Sequence, residues 1–311
     1  MLVSSKPMLI KAKREKYAVP AFNVNNLEIL QAVVEAATIE KSPLIIQTSE
    51  GAINYAGMKY LAAMAKIAAQ ENPSIPIAFH LDHGTNLTLV KQAIKSGLYT
   101  SVMYDGSKHP FKENIQRTKE IVKLAHSKKP YIQVEAEIGA IPGQEDTLKV
   151  KEKDAYFTDP KQAKELVRVT GCDSLAIAIG TVHGVYKYKD QEARLDFIRL
   201  KEIRKSIKIP LVLHGASEIP YDIVTLAQKF GAKLGGAKGV SNRLLSHAIK
   251  LGINKVNIDS DLRLAFDAGV RQVIAEKPGV YDPRKILGKA KELMIKEARE
   301  KIKLFGSKNK A

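Results

Sequence analysis

Short apolar runs alternate with segments of helical period along the whole chain, and no other feature narrows the fold as much. The runs are YAVPAFNV, PLIIQTS, IPIAFHLD, SVMYD, YIQVEAEIG, SLAIAIG, IPLVLHGA and INKVNIDSD. Between them lie amphipathic stretches such as NLEILQAVVEAATIEK, KYLAAMAKIAAQE, NLTLVKQAIKSG and DPKQAKELVRVTG, several closed by a glycine suited to a C-cap. Strand, crossover helix and next strand in repetition imply a parallel sheet covered by helices. Eight such units are the number that closes a (β/α)8 TIM barrel. The stretch from Asp282 to Phe305, after a Tyr-Asp-Pro-Arg turn, reads as an additional C-terminal helix. With no linker, low-complexity tract or short repeat, residues 1–311 are expected to form a single barrel domain that includes this extension.

Three histidines stand where apolar runs end: His83 in FHLDHG, His183 in AIAIGTVHG and His214 in PLVLHGAS. A strand that ends in a polar ligand followed by glycine presents that ligand at an open rim. Three imidazoles with a vacant position match a catalytic zinc better than a closed structural site. Other polar residues fall at the same ends of the runs: Asp82, Asp105, Glu135, Glu137, Asn257 and Asp259. Barrel enzymes place their chemistry at the carboxyl ends of the strands. Taken singly, each histidine has an ordinary structural reading; the convergence on one rim argues for a metal site. His80 is expected to be a strand residue beneath that site, His109 a loop residue, and His126 and His247 helix residues.

The formal net charge of +17 raises the question of nucleic acid. The lysines are spread over helical segments, mixed with acids, and not interleaved with aromatics on one stripe, which is the pattern of solvated helix faces. No nucleic-acid role is expected. A basic surface instead favours encounter with anionic metabolites such as sugar phosphates. The single cysteine, Cys172, excludes an intramolecular disulfide framework or a cysteine-rich metal cluster and reads as a small buried residue. No run is long enough to span a membrane, and the opening MLVSSKPMLIKAKREKYAVP lacks a long apolar core and a cleavage site, so a cytoplasmic location is expected.

The ordered set VPAFNVNNLE, LIIQTSEGA, HLDHG, SVMYD, VEAEIGAIPGQED, GTVHGVYK, LHGAS, KVNIDSDLR, YDPRK and the closing FGS resembles the class II, metal-dependent fructose-bisphosphate aldolases over nearly the whole chain. The resemblance implies reversible cleavage of fructose 1,6-bisphosphate to dihydroxyacetone phosphate and glyceraldehyde 3-phosphate, through an enediolate stabilised by Zn2+ on His83, His183 and His214. It further implies Asp82 as the carboxylate at the C4 oxygen, and Glu145 as the base for the carbon proton of dihydroxyacetone phosphate. Asn257 is implied as a hydrogen-bond partner of the enediolate. Asp105 and Glu137 match positions that hold an alternative metal position. Gly184, Lys187, Gly215, Ser217, Asp259 and Ser260 match residues around the C1 phosphate, with a monovalent cation, Na+ or K+, near that site. Asn23 and Ser49 match the lining of the substrate cleft. Arg284 matches an arginine that reaches the distal phosphate from a neighbouring subunit, so a homodimer or homotetramer is expected.

Each residue also has a plainer reading. Asp82 can serve as an acceptor that orients a histidine. Asp105, Glu135 and Glu137 can be ion-pair partners in the core, and Glu145 an exposed loop acid. Ala216 and Pro142 stand where many relatives have glycine. The segment from Glu218 to Gly252 resembles the longer-looped branch of the family; its LGGAKG lacks the spacing and closing Lys-Ser/Thr of a P-loop and reads as a flexible connection or a subunit contact. Tagatose 1,6-bisphosphate, differing at C4, is the alternative substrate, and a non-catalytic sugar-phosphate-binding barrel is the alternative from another class. A Schiff-base aldolase needs a desolvated lysine inside the barrel. The sixth run, SLAIAIG, has none.

Overall fold

The computed structural model describes residues 1–145, 148–151, 155–185 and 193–311. Its strands are β1 (Val19–Asn23), β2 (Leu44–Thr48), β3 (Ile77–Gly84), β4 (Ser101–Tyr104), β5 (Gln133–Ile138), β6 (Gly143–Glu145), β7 (Leu148–Val150), β8 (Ser174–Ile177), β9 (Leu211–Leu213) and β10 (Ile253–Ile258). Eight of them close a parallel barrel in the order β1-β2-β3-β4-β5-β8-β9-β10, with β10 returning to β1, so the (β/α)8 fold read from the sequence is present. β6 and β7 pair antiparallel outside the barrel, a hairpin that the eightfold pattern does not reveal.

The helices are α1 (Ser5–Glu15), α2 (Leu27–Glu40), α3 (Glu50–Ala56), α4 (Met58–Glu71), α5 (Leu87–Ser96), α6 (Phe111–His126), α7 (Pro160–Thr170), α8 (Phe197–Ser206), α9 (Tyr221–Lys229), α10 (Asn242–Lys250), α11 (Ser260–Glu276) and α12 (Pro283–Leu304). The extra C-terminal helix is α12; Asp282 caps its start by accepting the Arg284 N–H, with Pro283 at the first position, where a missing N–H does no harm. Gly97 and Gly171 end α5 and α7 in the left-handed conformation. At α2 a lysine, Lys41, takes that place.

Strand residues alternate between two environments. Phe22, Ile46, Phe79, Val134, Leu175 and Val256 point outward into one apolar cluster with the helices. Fully burying such a side chain stabilises the fold by roughly 1.5–3 kcal/mol, so the layer between barrel and helices carries most of the cohesion. The inward face is mixed. Met103, Ala176 and Val212 form a small cluster of their own. Nearer the amino ends, Val19, Ala21, Ile45 and Ala78 pack against Met8, Leu9 and Ala12 of α1, which closes the bottom of the barrel. That segment reads from sequence as a solvated lysine-bearing helix; its apolar stripe is the plug. Ser5 of α1 also hydrogen-bonds Gln133 at the start of β5.

Candidate active site

Local geometry of β3 creates the rim. By simple alternation His80 and Asp82 share the inward face, and His83 belongs on the helix side. The β3–β4 register shifts between Leu81 and Gly84, and His83 adopts a φ of 45°, a left-handed conformation uncommon for a non-glycine residue. The bulge turns His83 back over the barrel mouth, beside Asp82 and His214. Strain of this kind persists where the surroundings impose it, and it concentrates at functional sites.

His83 and His214 each commit one nitrogen to a carboxylate. His83 Nδ1 lies 3.1 Å from Asp105 Oδ2, and His214 Nε2 lies 2.8 Å from Glu135 Oε1. Burial alone would raise both acids. The His83 hydrogen bond and charge outweigh it at Asp105, and the Lys255 ammonium followed by the His214 hydrogen bond outweigh it at Glu135, so both stay below the usual carboxylate range. An ionised carboxylate only accepts, so both of these nitrogens are donors. The remaining nitrogens, His83 Nε2 and His214 Nδ1, face each other at hydrogen-bond distance, 2.7 Å. Such a pairing calls for a proton or a cation between them. Burial, then the nearby His83 charge, lowers the His214 pKa, which favours the neutral imidazole that a metal requires.

Among the described residues, two groups of buried side chains satisfy the spacing for an ion: Asp82, His83 and His214, and alternatively His83, Asp105 and Glu137. Burial and the adjacent Asp105 charge push Glu137 well up; its Oε2 is 3.6 Å from His214 Nδ1. His183 joins the rim from the loop beyond β8. That strand ends at Ile177, earlier than the SLAIAIG run suggests, because Ala178 turns to exchange hydrogen bonds with Thr158. The His183 ring meets His83 edge to face at 5.1 Å between centroids. Its backbone N–H donates to the Pro142 carbonyl at 2.8 Å, and its backbone bridges Gly143. A side chain on Gly143, at φ 107°, would run into the His183 carbonyl oxygen, so glycine is required where the β6–β7 hairpin meets this loop.

Asp82 is fully buried and held by three amide groups. Asn23 Nδ2 donates to Oδ2 at 2.9 Å, Gln47 Nε2 to the same oxygen at 3.1 Å, and Asn257 Nδ2 to Oδ1 at 2.9 Å. Gln47 also donates to Asn23 Oδ1 at 2.6 Å. Asn257 Oδ1 is buried with no hydrogen-bond partner among the described residues, an acceptor aimed into the site. Beneath the rim, Lys255 is 1% exposed and its Nζ pairs with Glu135 Oε2 at 2.9 Å. His80, between Ser101 and Lys255, is pushed well below its ordinary pKa by burial and then by the lysine charge. The sequence reading overlooked both Gln47 and Lys255. Each is a polar residue at an inward position of an otherwise apolar run, and two-residue alternation was the signal that would have found them.

The remaining candidates divide. Gly215, at φ 61°, follows β9 so closely against Val182 that a Cβ would lie 2.9 Å from its carbonyl oxygen. Ser217, Asp259 and Ser260 are buried near the carboxyl ends of β9 and β10. Gly184 packs on Gln144. Ser49 caps α3 by accepting the Ala52 N–H. Asp259 pairs with Arg263 at 2.7 Å. Arg284 stands apart at the start of α12, with its side chain 89% exposed and paired with Asp282. Lys187 lies outside the described residues. Glu145 ends β6, and its side chain is likewise outside the description.

The fold and its rim define a (β/α)8 enzyme of the metal-dependent kind. A family model described as "Fructose-bisphosphate aldolase class-II" matches residues 3–310, and the chain belongs to that family. It is 47% identical over 310 residues to a fructose-bisphosphate aldolase of Helicobacter pylori strain J99, covering all of both chains. A Giardia intestinalis fructose-bisphosphate aldolase is 43% identical over 307 residues, covering 98% of this chain and 93% of that protein. Among solved structures, the YdjI aldolase of Escherichia coli K12 superposes with a TM-score of 0.78 at 33% identity, over the full length of both chains. No helix among the described residues is long and apolar enough to cross a membrane.

Proposed function

We propose that this protein cleaves fructose 1,6-bisphosphate reversibly to dihydroxyacetone phosphate and glyceraldehyde 3-phosphate, with zinc held by His83, His183 and His214. The observation that carries the reading is the convergence of buried Asp82, His83 and His214, with ligand atoms spaced for one ion, while Asp105 and Glu135 each engage a nitrogen of one of the two histidines. Asp105 and Glu137 provide the alternative seat. Zinc held by the three histidines would supply a Lewis acid for the C2 carbonyl and for the charge that develops on it.

The residues of the chain do the rest. Asp82, its oxygens fixed by Asn23, Gln47 and Asn257, takes the proton of the C4 hydroxyl as the C3–C4 bond breaks. Asn257 offers Oδ1 to a substrate hydroxyl. In the condensation direction Glu145 removes the carbon proton of dihydroxyacetone phosphate; its hairpin is tied to the His183 loop, so base and metal ligand share one support. Gly184, Lys187, Gly215, Ser217, Asp259 and Ser260 surround the C1 phosphate, with a Na+ or K+ ion beside it, and Ser49 lines the cleft. Arg284, exposed on one chain, meets the distal phosphate in a neighbouring subunit of a homodimer or homotetramer. The reading places the enzyme in the cytoplasm.

The test is cleavage of fructose and tagatose 1,6-bisphosphates by enzyme stripped with chelator and reloaded with zinc. Loss and recovery of fructose bisphosphate cleavage is expected, with each of His83→Ala, His183→Ala and His214→Ala binding less zinc. Full activity in a verified metal-free preparation would refute the metal role, and preference for tagatose bisphosphate would refute the substrate.

A further inference from the structure

Several charged side chains that this chemistry does not use lie under the turn after β9. Asp261, in the first turn of α11, is fully buried. Its Oδ1 accepts the Ile219 N–H at 2.8 Å, and its Oδ2 accepts the Glu218 N–H at 3.1 Å. Ile219 has a φ of 61°, a left-handed conformation that opposes its branched Cβ and needs an external hold. The two hydrogen bonds to Asp261 are that hold.

Lys301 of α12, 1% exposed, joins the cluster from below. Its Nζ lies 3.2 Å from Asp261 Oδ2, 2.6 Å from Glu218 Oε2 and 2.9 Å from Glu297 Oε1. Burial would lower its pKa, but Asp261, Glu297 and Glu218 together hold it above the ordinary lysine range. From the other side, the Gly-rich segment between α9 and α10 closes on the same turn. Val240 N–H donates to the Ser217 carbonyl at 3.1 Å, and a side chain on Gly239 would run into the backbone of Ser217 and Glu218. This end of LGGAKG is therefore packed against the turn, in contrast to the flexible connection that is one of the two readings of its composition.

We propose that Asp261, Lys301 and Gly239 are positioning residues that hold the turn at Gly215–Ser217 in the shape that receives the substrate's C1 phosphate. The inference rests on the reading of this turn as a phosphate contact. A turn that binds an anion works by having its groups oriented before the anion arrives. Asp261 and Gly239 grip it from two sides, and Lys301 keeps the Asp261 charge compensated. Loosening the grip weakens binding of substrate and transition state alike, so it raises KM with little change in kcat.

Asp261→Asn keeps the shape and removes the charge; Gly239→Ala presses the turn from the opposite side. Three readouts apply to each: amide hydrogen exchange at Glu218 and Ile219 without ligand, the affinity for inorganic phosphate, and KM against kcat for bisphosphate cleavage. Both variants are expected to exchange faster at these amides and to raise the phosphate Kd and KM about tenfold, the scale of a lost charged hydrogen bond, with kcat and metal content nearly unchanged. Lys301→Arg, which keeps the charge, is expected to retain most phosphate affinity. Unchanged exchange, or a loosened turn with unchanged phosphate affinity in both variants, overturns the inference. Equal loss of kcat and bound metal overturns it too, since that marks general disruption. A wild-type protein that binds phosphate through this turn but cleaves neither sugar rejects the proposed activity and leaves the exchange and phosphate readouts to decide the positioning role.

Discussion

Lys255→Met removes the ammonium from a fully buried pair and leaves its partner, Glu135, in place. Both side chains are 1% exposed, and their charged atoms are 2.9 Å apart. Breaking one side of such a pair typically costs about 3–5 kcal/mol, because the surviving charge is left uncompensated. For a chain of this size each kcal/mol lowers Tm by roughly 2 °C, so a fall of about 6–10 °C is expected in differential scanning calorimetry. The effect should reach the rim. Glu135 relieves its burial by taking a proton, and its hold on His214 Nε2 weakens. Loss of a partner that orients a metal-binding histidine typically lowers metal affinity by about ten- to a hundredfold, measurable by competition with a chromogenic chelator. The double variant Lys255→Met/Glu135→Leu removes both charges. It is expected to regain most of the stability, since an apolar replacement of a buried pair is often neutral, but not the metal affinity, since His214 still lacks its acceptor. A single variant with lowered Tm and unchanged metal affinity, or a double variant that restores both, would show that the pair does not act on His214.

Three further outcomes are expected. Burial, then the charges of Asp261 and Glu218, opposed by Lys301, raise Glu297 from 4.5 to about 7. The folded state therefore holds this proton more tightly than the unfolded state, and the contribution of Glu297 to stability falls as pH rises from 4.5 to 7; Glu297→Gln should gain over wild type across that window, by about 3 kcal/mol at most, in urea titrations. A gain that is equal at pH 4.5 and pH 8 would contradict the assignment. Asp82→Ala should cripple cleavage while sparing more of the hydrogen exchange into dihydroxyacetone phosphate, and Glu145→Ala should suppress that exchange; identical losses in both assays with zinc retained would contradict the division. Arg284→Ala should weaken bisphosphate cleavage by roughly ten- to a hundredfold and spare exchange on dihydroxyacetone phosphate, with activity recovered in hybrids with Asp82→Ala subunits; no recovery despite proven subunit exchange would refute a contact across subunits.

Much of this protein is legible without coordinates. Each of the eight apolar runs became a barrel strand, because a strand buried between a barrel interior and a helix layer must be largely apolar, and that requirement is written locally. The helix after YDPR is present because its cap and its proline are local chemistry. His83, His214, Asp82, Asp105, Glu137 and Asn257 were readable as one constellation because closure of the barrel brings the carboxyl ends of all its strands to one rim. Other features depend on the closed fold. The plug made by α1 has the composition of a solvated helix, and only the open barrel bottom gives its apolar stripe a partner. His83 faces the site through a bulge whose register shift is a property of two paired strands. The ring orientations of His83 and His214 follow from carboxylates after β4 and on β5, and Lys255 is an ion-pair partner because Glu135 lies across the barrel. The LGGAKG segment acquires its packed end from the turn that it covers. Periodicity and caps are set by neighbours along the chain and so belong to the sequence alone, whereas orientation, protonation and charge compensation are set by neighbours in space, which the chain acquires when the barrel closes.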